Sequence, residues 1–434
     1  MARKLFGTDG VRGVAGEKLT ADLALALGRA ATEQAGGEGR RVLIIRDTRE
    51  SGEMLEAALA AGVAAAGGDV LLGGVLPTPA APLLISRYGL DLGVVVSASH
   101  NPYRDNGIKF FGSDSLKLSD TTEEEIEERL EAPGPPPQAP GRIRELHGTQ
   151  EDYLRSLEER FGGLDLAGTR ILLDCANGAA HRVAPEIFRR LGAEVGTVGT
   201  EPDGRNINDG VGSTHVESLA AAVAEGGYDL GFAFDGDADR VLAVDRAGAV
   251  VDGDELIALA ALHLRGEGRL GGGVAVTVMT NYGFHTAMRE AGIEVAVTDV
   301  GDRYVLAELL ERGWSLGGEQ SGHIIDTGFV PSGDGIASAL LTLEALGGAD
   351  LAGRSAMTRL PQRLVNVAVA DKGAAMAAVE EAAASEQEGL EGRGRVLVRP
   401  SGTEELVRVM VEAPDEGECE AVCGRLVAVV ESAS

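Results

Sequence analysis

Asp229-Leu230-Gly231-Phe232-Ala233-Phe234-Asp235-Gly236-Asp237-Ala238-Asp239-Arg240 is an apolar run that opens into a turn with three carboxylates at alternate positions. The run has the length and composition of a buried strand. Before it come Ile171-Leu172-Leu173, a helical stretch near Pro185–Leu191, Glu194-Val195, and a second helical stretch near Val216–Ala224. The same order occurs twice more. Val42-Leu43-Ile44-Ile45, a helix from Met54 to Ala66, Asp69-Val70-Leu71-Leu72 and more helix lead to Asp91-Leu92-Gly93-Val94-Val95-Val96. Val274–Val278, Glu294-Val295-Ala296-Val297 and Trp314-Ser315-Leu316-Gly317, separated by helices, make the third. Short apolar runs alternating with helical patterns mean βαβ units and mostly parallel sheet.

The third strand of each unit carries Leu-Gly and ends in a polar motif: Ser97-Ala98-Ser99-His100, Asp235-Gly236-Asp237, and Glu319-Gln320-Ser321. Ligands of open α/β sheets sit beyond the carboxyl ends of strands, so three equivalent loops can converge on one cleft. Pro133-Gly134-Pro135-Pro136-Pro137-Gln138-Ala139-Pro140 allows neither helix nor central strand and predicts an extended surface connection. The tail differs. Strands at Leu364–Val369, Val396-Leu397-Val398 and Leu406–Val411, with helices over Gly373–Ala384 and Cys419–Val430, predict a small α+β domain containing a hairpin. The predicted domains are 1–150, 151–254, 255–363 and 364–434.

At 434 residues the chain is long enough for two to four domains. With 39 basic and 68 acidic residues its net charge is −29, which argues against a general binder of nucleic acid or anionic membrane. Cys175, Cys419 and Cys423 make an odd count without zinc-site spacing and read as reduced thiols. No apolar signal segment precedes the first glycine-rich motif. The uncharged run Val70–Ser86 contains three prolines and is too short for a bilayer. These features predict a soluble, cytoplasmic protein. Lysine is scarce, at Lys4, Lys18, Lys109, Lys117 and Lys372, so a lysine inside a motif is conspicuous.

Asp235, Asp237 and Asp239 can point at one hard cation, and oxygen-only ligands suit Mg²⁺ or Ca²⁺. The loop is not an EF-hand, because Arg240 and Arg246 stand at its sixth and twelfth positions. The bland alternative is a solvated acidic turn. In Ser97-Ala98-Ser99-His100-Asn101-Pro102 a serine beside a histidine at a strand end fits a nucleophile, although such a pair alone is more often a turn arrangement. Lys109 reads as a cation aimed at phosphate, as a lysine with a lowered pKa, or as a lysine snorkelling from an edge strand. Gly317-Gly318-Glu319-Gln320-Ser321-Gly322-His323 mixes the donors and acceptors that sugar hydroxyls need. Arg399-Pro400-Ser401-Gly402-Thr403, with Arg408, offers guanidinium forks, hydroxyls and a glycine to a phosphate. Gly7-Thr8-Asp9-Gly10-Val11-Arg12-Gly13 adds another arginine. A nucleophile, a divalent cation, a hydroxyl-binding loop and a phosphate clamp together read as phosphoryl transfer on a phosphorylated sugar.

In this order the five motifs resemble the α-D-phosphohexomutase superfamily. Lys4-Leu5-Phe6-Gly7-Thr8-Asp9-Gly10-Val11-Arg12-Gly13, the Ser-Ala-Ser-His-Asn-Pro loop, Gly318–His323, and Asn206-Ile207-Asn208 followed by Gly212-Ser213-Thr214-His215 are similar in particular to its glucosamine-phosphate branch. The resemblance implies an α/β fold: three similar α/β domains with mixed, mostly parallel sheets and a C-terminal α+β domain around a central cleft. It implies that Ser99 carries a phosphoryl group and that Asp235, Asp237 and Asp239 bind one Mg²⁺ together with a phosphoserine oxygen of Ser99. Glu319 and Ser321 would contact sugar hydroxyls. Arg399, Ser401, Gly402, Thr403 and Arg408 would hold the non-reacting phosphate. Lys109 and His323 would move protons, and Arg12, His100 and Arg240 would supply positive charge.

The implied activity is interconversion of glucosamine 6-phosphate and glucosamine 1-phosphate for amino-sugar synthesis. It would run through glucosamine 1,6-bisphosphate, which, or an equivalent, would also serve as activator. The expected partner is a small-molecule phosphosugar, without nucleic acid or membrane, and a homodimer is compatible with this reading. The alternatives are a mutase of glucose or mannose phosphates, a phosphatase in which water takes the phosphoryl group, and a sugar-phosphate sensor. One residue departs from the family pattern: Glu405 stands where proline is expected after Thr403-Glu404.

Overall fold

The computed structural model describes residues 5–7, 9–401 and 404–433. Gly402 and Thr403 of the phosphate loop, and Lys4 and Thr8 of the N-terminal motif, lie outside the described residues. The chain forms two compact units, Met1–Val278 with Ala296–Arg354, and Met279–Val295 with Ser355–Ser434.

In the first unit, β1 (Val11–Val14), β2 (Arg41–Arg46), β3 (Asp69–Val75), β4 (Leu92–Val96), β5 (Asp105–Gly112) and β6 (Ile143–Glu145) form a sheet of order β1-β5-β4-β2-β3-β6. The second sheet comprises β7 (Arg170–Asp174), β8 (Glu194–Val198), β9 (Leu230–Phe234), β10 (Val241–Asp245) and β11 (Val250–Val251), ordered β11-β10-β9-β7-β8. The third has β12 (Gly273–Thr277), β13 (Glu294–Thr298), β14 (Leu316–Gly318) and β15 (Ile324–Asp326), ordered β13-β12-β14-β15.

The repeat inferred from sequence is visible in this topology. In every sheet the first strand of the unit lies between the third and the second. In the first two sheets these three strands are parallel, as in β4-β2-β3 and β9-β7-β8. In the third, β12 and β14 are parallel, and Val278 N–H donates to the Thr298 carbonyl. Helices cover the parallel strands, which explains why those strands read as continuous apolar runs.

Each third strand is followed by an antiparallel one: β4 by β5, β9 by β10 and β14 by β15. The three polar motifs are therefore the connections of three antiparallel pairs. Each turns through a residue in the left-handed region: Ser99 (φ 52°), Ala238 (φ 55°) and Gly322 (φ 88°). This conformation is uncommon for serine and alanine and persists only where the surroundings enforce it. The helix Gly335–Leu346 packs against the aspartate turn and is mostly apolar, with its first nine residues buried. Its N-cap Asp334 accepts from Ala337 N, and Gly335 N donates to the Ala238 carbonyl at 2.9 Å. A Cβ at Gly335 would stand 2.3 Å from the Arg240 carbonyl, so glycine alone permits this approach.

The second unit holds the antiparallel strands β16 (Gln362–Ala368), β17 (Arg395–Pro400) and β18 (Leu406–Glu412), ordered β16-β18-β17. The helices Lys372–Gly389 and Glu416–Ser432 complete the predicted α+β arrangement. The helix Tyr282–Glu290, from the third repeat, also belongs here. Asn281 Oδ1 accepts from Leu360 N at 3.0 Å, and a Cβ at Gly283 would lie 1.9 Å from the Thr358 carbonyl. The proline-rich stretch 133–140 contains neither helix nor strand, as its composition predicts.

Candidate active site

Within the first unit the serine turn and the aspartate turn meet. Ser99 is buried, and its Oγ donates to Asp235 Oδ2 at 2.5 Å while lying 3.2 Å from His100 Nδ1. Asp235, Asp237 and Asp239 are all buried and offer oxygens within 4.8 Å of one another, the one such group of possible metal ligands among the described residues. Gly236 permits the contact between the turns, because a Cβ there would be 2.5 Å from the Ser99 carbonyl.

The carboxylates share their environment unequally. Burial, then Asp239 and Asp237, push the Asp235 carboxyl well above the ordinary range. Burial acts on Asp237 in the same direction, but Lys109 and the Thr78 hydroxyl outweigh it and hold its carboxyl below. Asp237 Oδ1 and Asp239 Oδ1 are buried without a hydrogen-bond partner. Three carboxylates whose oxygens gather within 4.8 Å, two of them holding an orphaned oxygen, offer an all-oxygen set that fits a hard divalent cation such as Mg²⁺.

Lys109 is not on an edge. Its strand β5 lies between β1 and β4, and its side chain is buried and directed at carboxylates. Its Nζ is 2.9 Å from Asp237, 3.1 Å from Asp9 and 3.5 Å from Asp239. Burial alone would lower the Lys109 pKa, but these carboxylates raise it well above the ordinary lysine value. The contacts favour a cation over a lysine of lowered pKa or one that snorkels from an edge, although its partners here are carboxylates.

His100 behaves differently from the positive charge implied for it. Burial, reinforced by Arg240 and Arg12, lowers its pKa to about 4, so near neutrality it faces Ser99 as an uncharged imidazole. Arg12 pairs with Asp9, and Arg240 Nε lies 3.8 Å from Asp239. Their own Nε atoms are buried without hydrogen-bond partners.

Arg12, Asp239, Arg240, Glu319 and His323, together with Asp9 and Asp302, line a cavity of about 390 Å³. Glu319 Oε1 accepts from Gly301 N at 3.1 Å, which turns the carboxylate toward this space. His323 Nε2 stands 3.8 Å from Asp302 and 3.9 Å from Asp239. Ser321 is exposed and is not among the cavity's lining residues.

The candidate phosphate loop belongs to the second unit. Arg399 and Arg408 are directly opposed on β17 and β18. Like charges in that register repel, which favours an anion between them. Ser401 is buried, and its Oγ accepts from Glu404 N at 3.2 Å. Lys372 Nζ donates to the Ser401 and Glu404 carbonyls, each at 3.2 Å, and pairs with Glu405 at 3.3 Å. Glu405 points its carboxylate outward, 72% exposed, so the residue that replaces proline adds no buried negative charge.

Sequence reading assigned no role to several residues now seen at the site. Thr78 donates its hydroxyl to Asp237 Oδ2 at 2.6 Å and its N–H to the Asp237 carbonyl at 2.9 Å. Lys117 bridges Asp9 and Asp302, each at 2.5 Å. The scarcity of lysine marked Lys117 as it marked Lys109. Nothing local distinguishes Thr78 or Asp302, which depend on partners far away in the chain.

Four family models cover the chain: phosphoglucomutase/phosphomannomutase alpha/beta/alpha domain I over residues 3–135, domain II over 146–248, domain III over 252–363 and the C-terminal domain over 364–429. The chain belongs to this family and is an isomerase, a phosphohexomutase. Phosphoglucosamine mutase of Moorella thermoacetica is 52% identical over 438 residues, covering 98% of each chain. That of Desulforudis audaxviator is 53% identical over 439 residues, covering 98% of this chain and 97% of its own. The fold matches a phosphoglucomutase/phosphomannomutase family protein of Burkholderia thailandensis with a TM-score of 0.84 at 24% identity, over 99% of this chain and 97% of that one. It also matches N-acetylphosphoglucosamine mutase of Aspergillus fumigatus, a structure in complex with GlcNAc-6P and magnesium, with a TM-score of 0.67 at 18% identity, over 99% and 96%. No helix among the described residues is long and apolar enough to cross a membrane.

Proposed function

We propose that the chain interconverts glucosamine 6-phosphate and glucosamine 1-phosphate, with Ser99 as the phosphoryl carrier. The observation that carries this reading is the buried Ser99 hydroxyl, 2.5 Å from a carboxylate that belongs to a triple cluster. A cation held by Asp235, Asp237 and Asp239, together with a phosphoserine oxygen, would offset charge on the transferring group. The Ser99 Oγ–P bond breaks as a bond forms from phosphorus to the sugar 1-oxygen, and the proton of that hydroxyl passes to a base. His323 takes the proton, and Lys109, held as a cation by Asp9, Asp237 and Asp239, supplies positive charge beside the transfer. Glucosamine 1,6-bisphosphate then reverses its orientation and returns its 6-phosphoryl group to Ser99.

Arg12 and Arg240 supply positive charge beside the reacting group, and His100 keeps the Ser99 hydroxyl in place. Glu319, which lines the cavity, orients sugar hydroxyls. Arg399, Ser401, Gly402, Thr403 and Arg408 hold the phosphate that does not react. Arg12 and Arg240 at the cavity, with a cation held by the aspartates, would offset the carboxylates that line it and admit an anionic substrate to a chain of net charge −29.

The test is turnover of glucosamine 6-phosphate with Mg²⁺ and a trace of glucosamine 1,6-bisphosphate, with intact mass recorded in parallel. Formation of glucosamine 1-phosphate and one added phosphoryl group, both absent in Ser99→Ala, are expected. Faster turnover of glucose or mannose 6-phosphate would overturn the substrate, and stoichiometric release of inorganic phosphate would overturn the mutase reading.

A further inference from the structure

Asn206-Ile207-Asn208 has no part in the mechanism above, yet its last residue reaches the serine turn. Asn208 is buried, sits at φ 57°, and lies in the connection between β8 and the helix Glu217–Gly226. Its Nδ2 donates to the Ser99 carbonyl at 2.9 Å and the Asn101 carbonyl at 3.1 Å. The same two carbonyls accept from Arg49 Nη2, at 2.9 and 2.8 Å. Arg49 is fully buried; its Nη1 also reaches the Asp105 carbonyl at 3.0 Å, and its Nε pairs with Asp47 at 2.9 Å. Asp47 accepts from Ser97 Oγ at 2.6 Å, and Ser97 Oγ accepts from Ser99 N at 3.0 Å.

Carbonyls of a turn repel one another unless donors collect them. A guanidinium offers five N–H groups in a fixed fork, and an amide offers two more. Arg49 follows the first strand of the first repeat, whereas Asn208 comes from the second repeat, so the serine turn is gripped from two sides. Asn208 also lies close against Gly236, where an added Cβ would stand 2.9 Å from its Nδ2. The left-handed backbone of Ser99 is what this network enforces. Neither residue contacts Ser99 Oγ.

We propose that Arg49 and Asn208 are positioning residues that aim Ser99 for phosphoryl transfer, an inference that rests on the reading of Ser99 as the phosphoryl carrier. Their loss acts on the rate of transfer and leaves binding of sugar phosphate and metal in place.

The primary test uses Asn208→Gly, which removes the amide while tolerating the positive φ, and Asn208→Asp, which keeps the shape without the donors. Three quantities are read: kcat and KM on glucosamine 6-phosphate, the rate at which dephosphorylated protein accepts a phosphoryl group from glucose 1,6-bisphosphate by intact mass, and the Kd for Mg²⁺ by calorimetry. Both variants are expected to lower kcat and the phosphorylation rate about 10- to 100-fold, the effect of a small misplacement at a reacting centre, with KM and Kd within about twofold. Arg49→Lys, which keeps the charge beside Asp47 but loses the fork, is expected to fail in the same way. Wild-type rates in Asn208→Gly would overturn the proposal, as would equal losses in kcat, KM and Mg²⁺ affinity, which mark a merely structural role. A wild-type protein that accepts no phosphoryl group on Ser99 defeats the underlying reading and the proposal with it. Wild-type phosphorylation unchanged in the Asn208 variants defeats the proposal alone.

Discussion

The serine turn and the candidate phosphate loop, both proposed to serve phosphate chemistry, are built in opposite ways. Ser99 is buried, its carbonyl and N–H are bound, and its hydroxyl faces a fixed carboxylate. The candidate phosphate loop sets Arg399 opposite Arg408 across two strands, a register in which like charges repel, with Glu404 3.6 Å from Arg408. A bond-making atom must be placed before the reaction, because misplacement slows the chemical step. A group that only holds a phosphate can be completed by its ligand.

The sharpest break of this contrast is Ser99→Ala. It is expected to abolish the phosphoenzyme and lower kcat by at least about three orders of magnitude, measured by coupled assay and intact mass. Thr78→Val comes next. Removing the hydroxyl that holds Asp237 should weaken Mg²⁺ about 10- to 100-fold, read as the metal concentration at half-maximal rate.

Arg399→Ala tests the other region. It should raise KM about 10- to 100-fold, from the ~1.5–3 kcal/mol of a hydrogen bond to a charged group, with a smaller effect on kcat. The same variant should stabilise the ligand-free protein by up to about 1 kcal/mol in urea unfolding, because it relieves the pairing with Arg408. A loss of stability would show that the arginines do not repel.

The smallest effect concerns the helix packed against the aspartate turn. Burial raises the Asp334 carboxyl from its ordinary 3.8 to about 7. Between those values the folded state binds more protons than the unfolded one, so stability contributed by this group is present below about pH 4 and falls as pH rises to about 7. Asn retains the cap without titrating, so Asp334→Asn should remove that part of the pH slope in thermal unfolding, with catalysis near pH 7 little changed.

Local sequence determined a good deal of this protein. The threefold order of strands and helices, the Leu-Gly strand before each motif and the hairpin of the tail all appear in the sheets, because apolar periodicity and turn residues act over a few neighbours. The aspartate cluster was legible for the same reason: alternate positions in one turn must lie close together.

What tertiary structure decided is everything that needs a partner from another segment. Lys109 became a buried cation only because its strand is interior and Asp9, Asp237 and Asp239 converge on it. His100 became neutral through burial beside Arg240 and Arg12. Thr78 and Arg49 carry no local mark, and the motif that holds Asn208 does not reveal its partners, since a hydroxyl, a guanidinium or an amide is defined by the group it faces. Spacing along the chain can announce a motif, but distance and desolvation set the charge state and aim of its side chains, and both arise only when remote segments pack together.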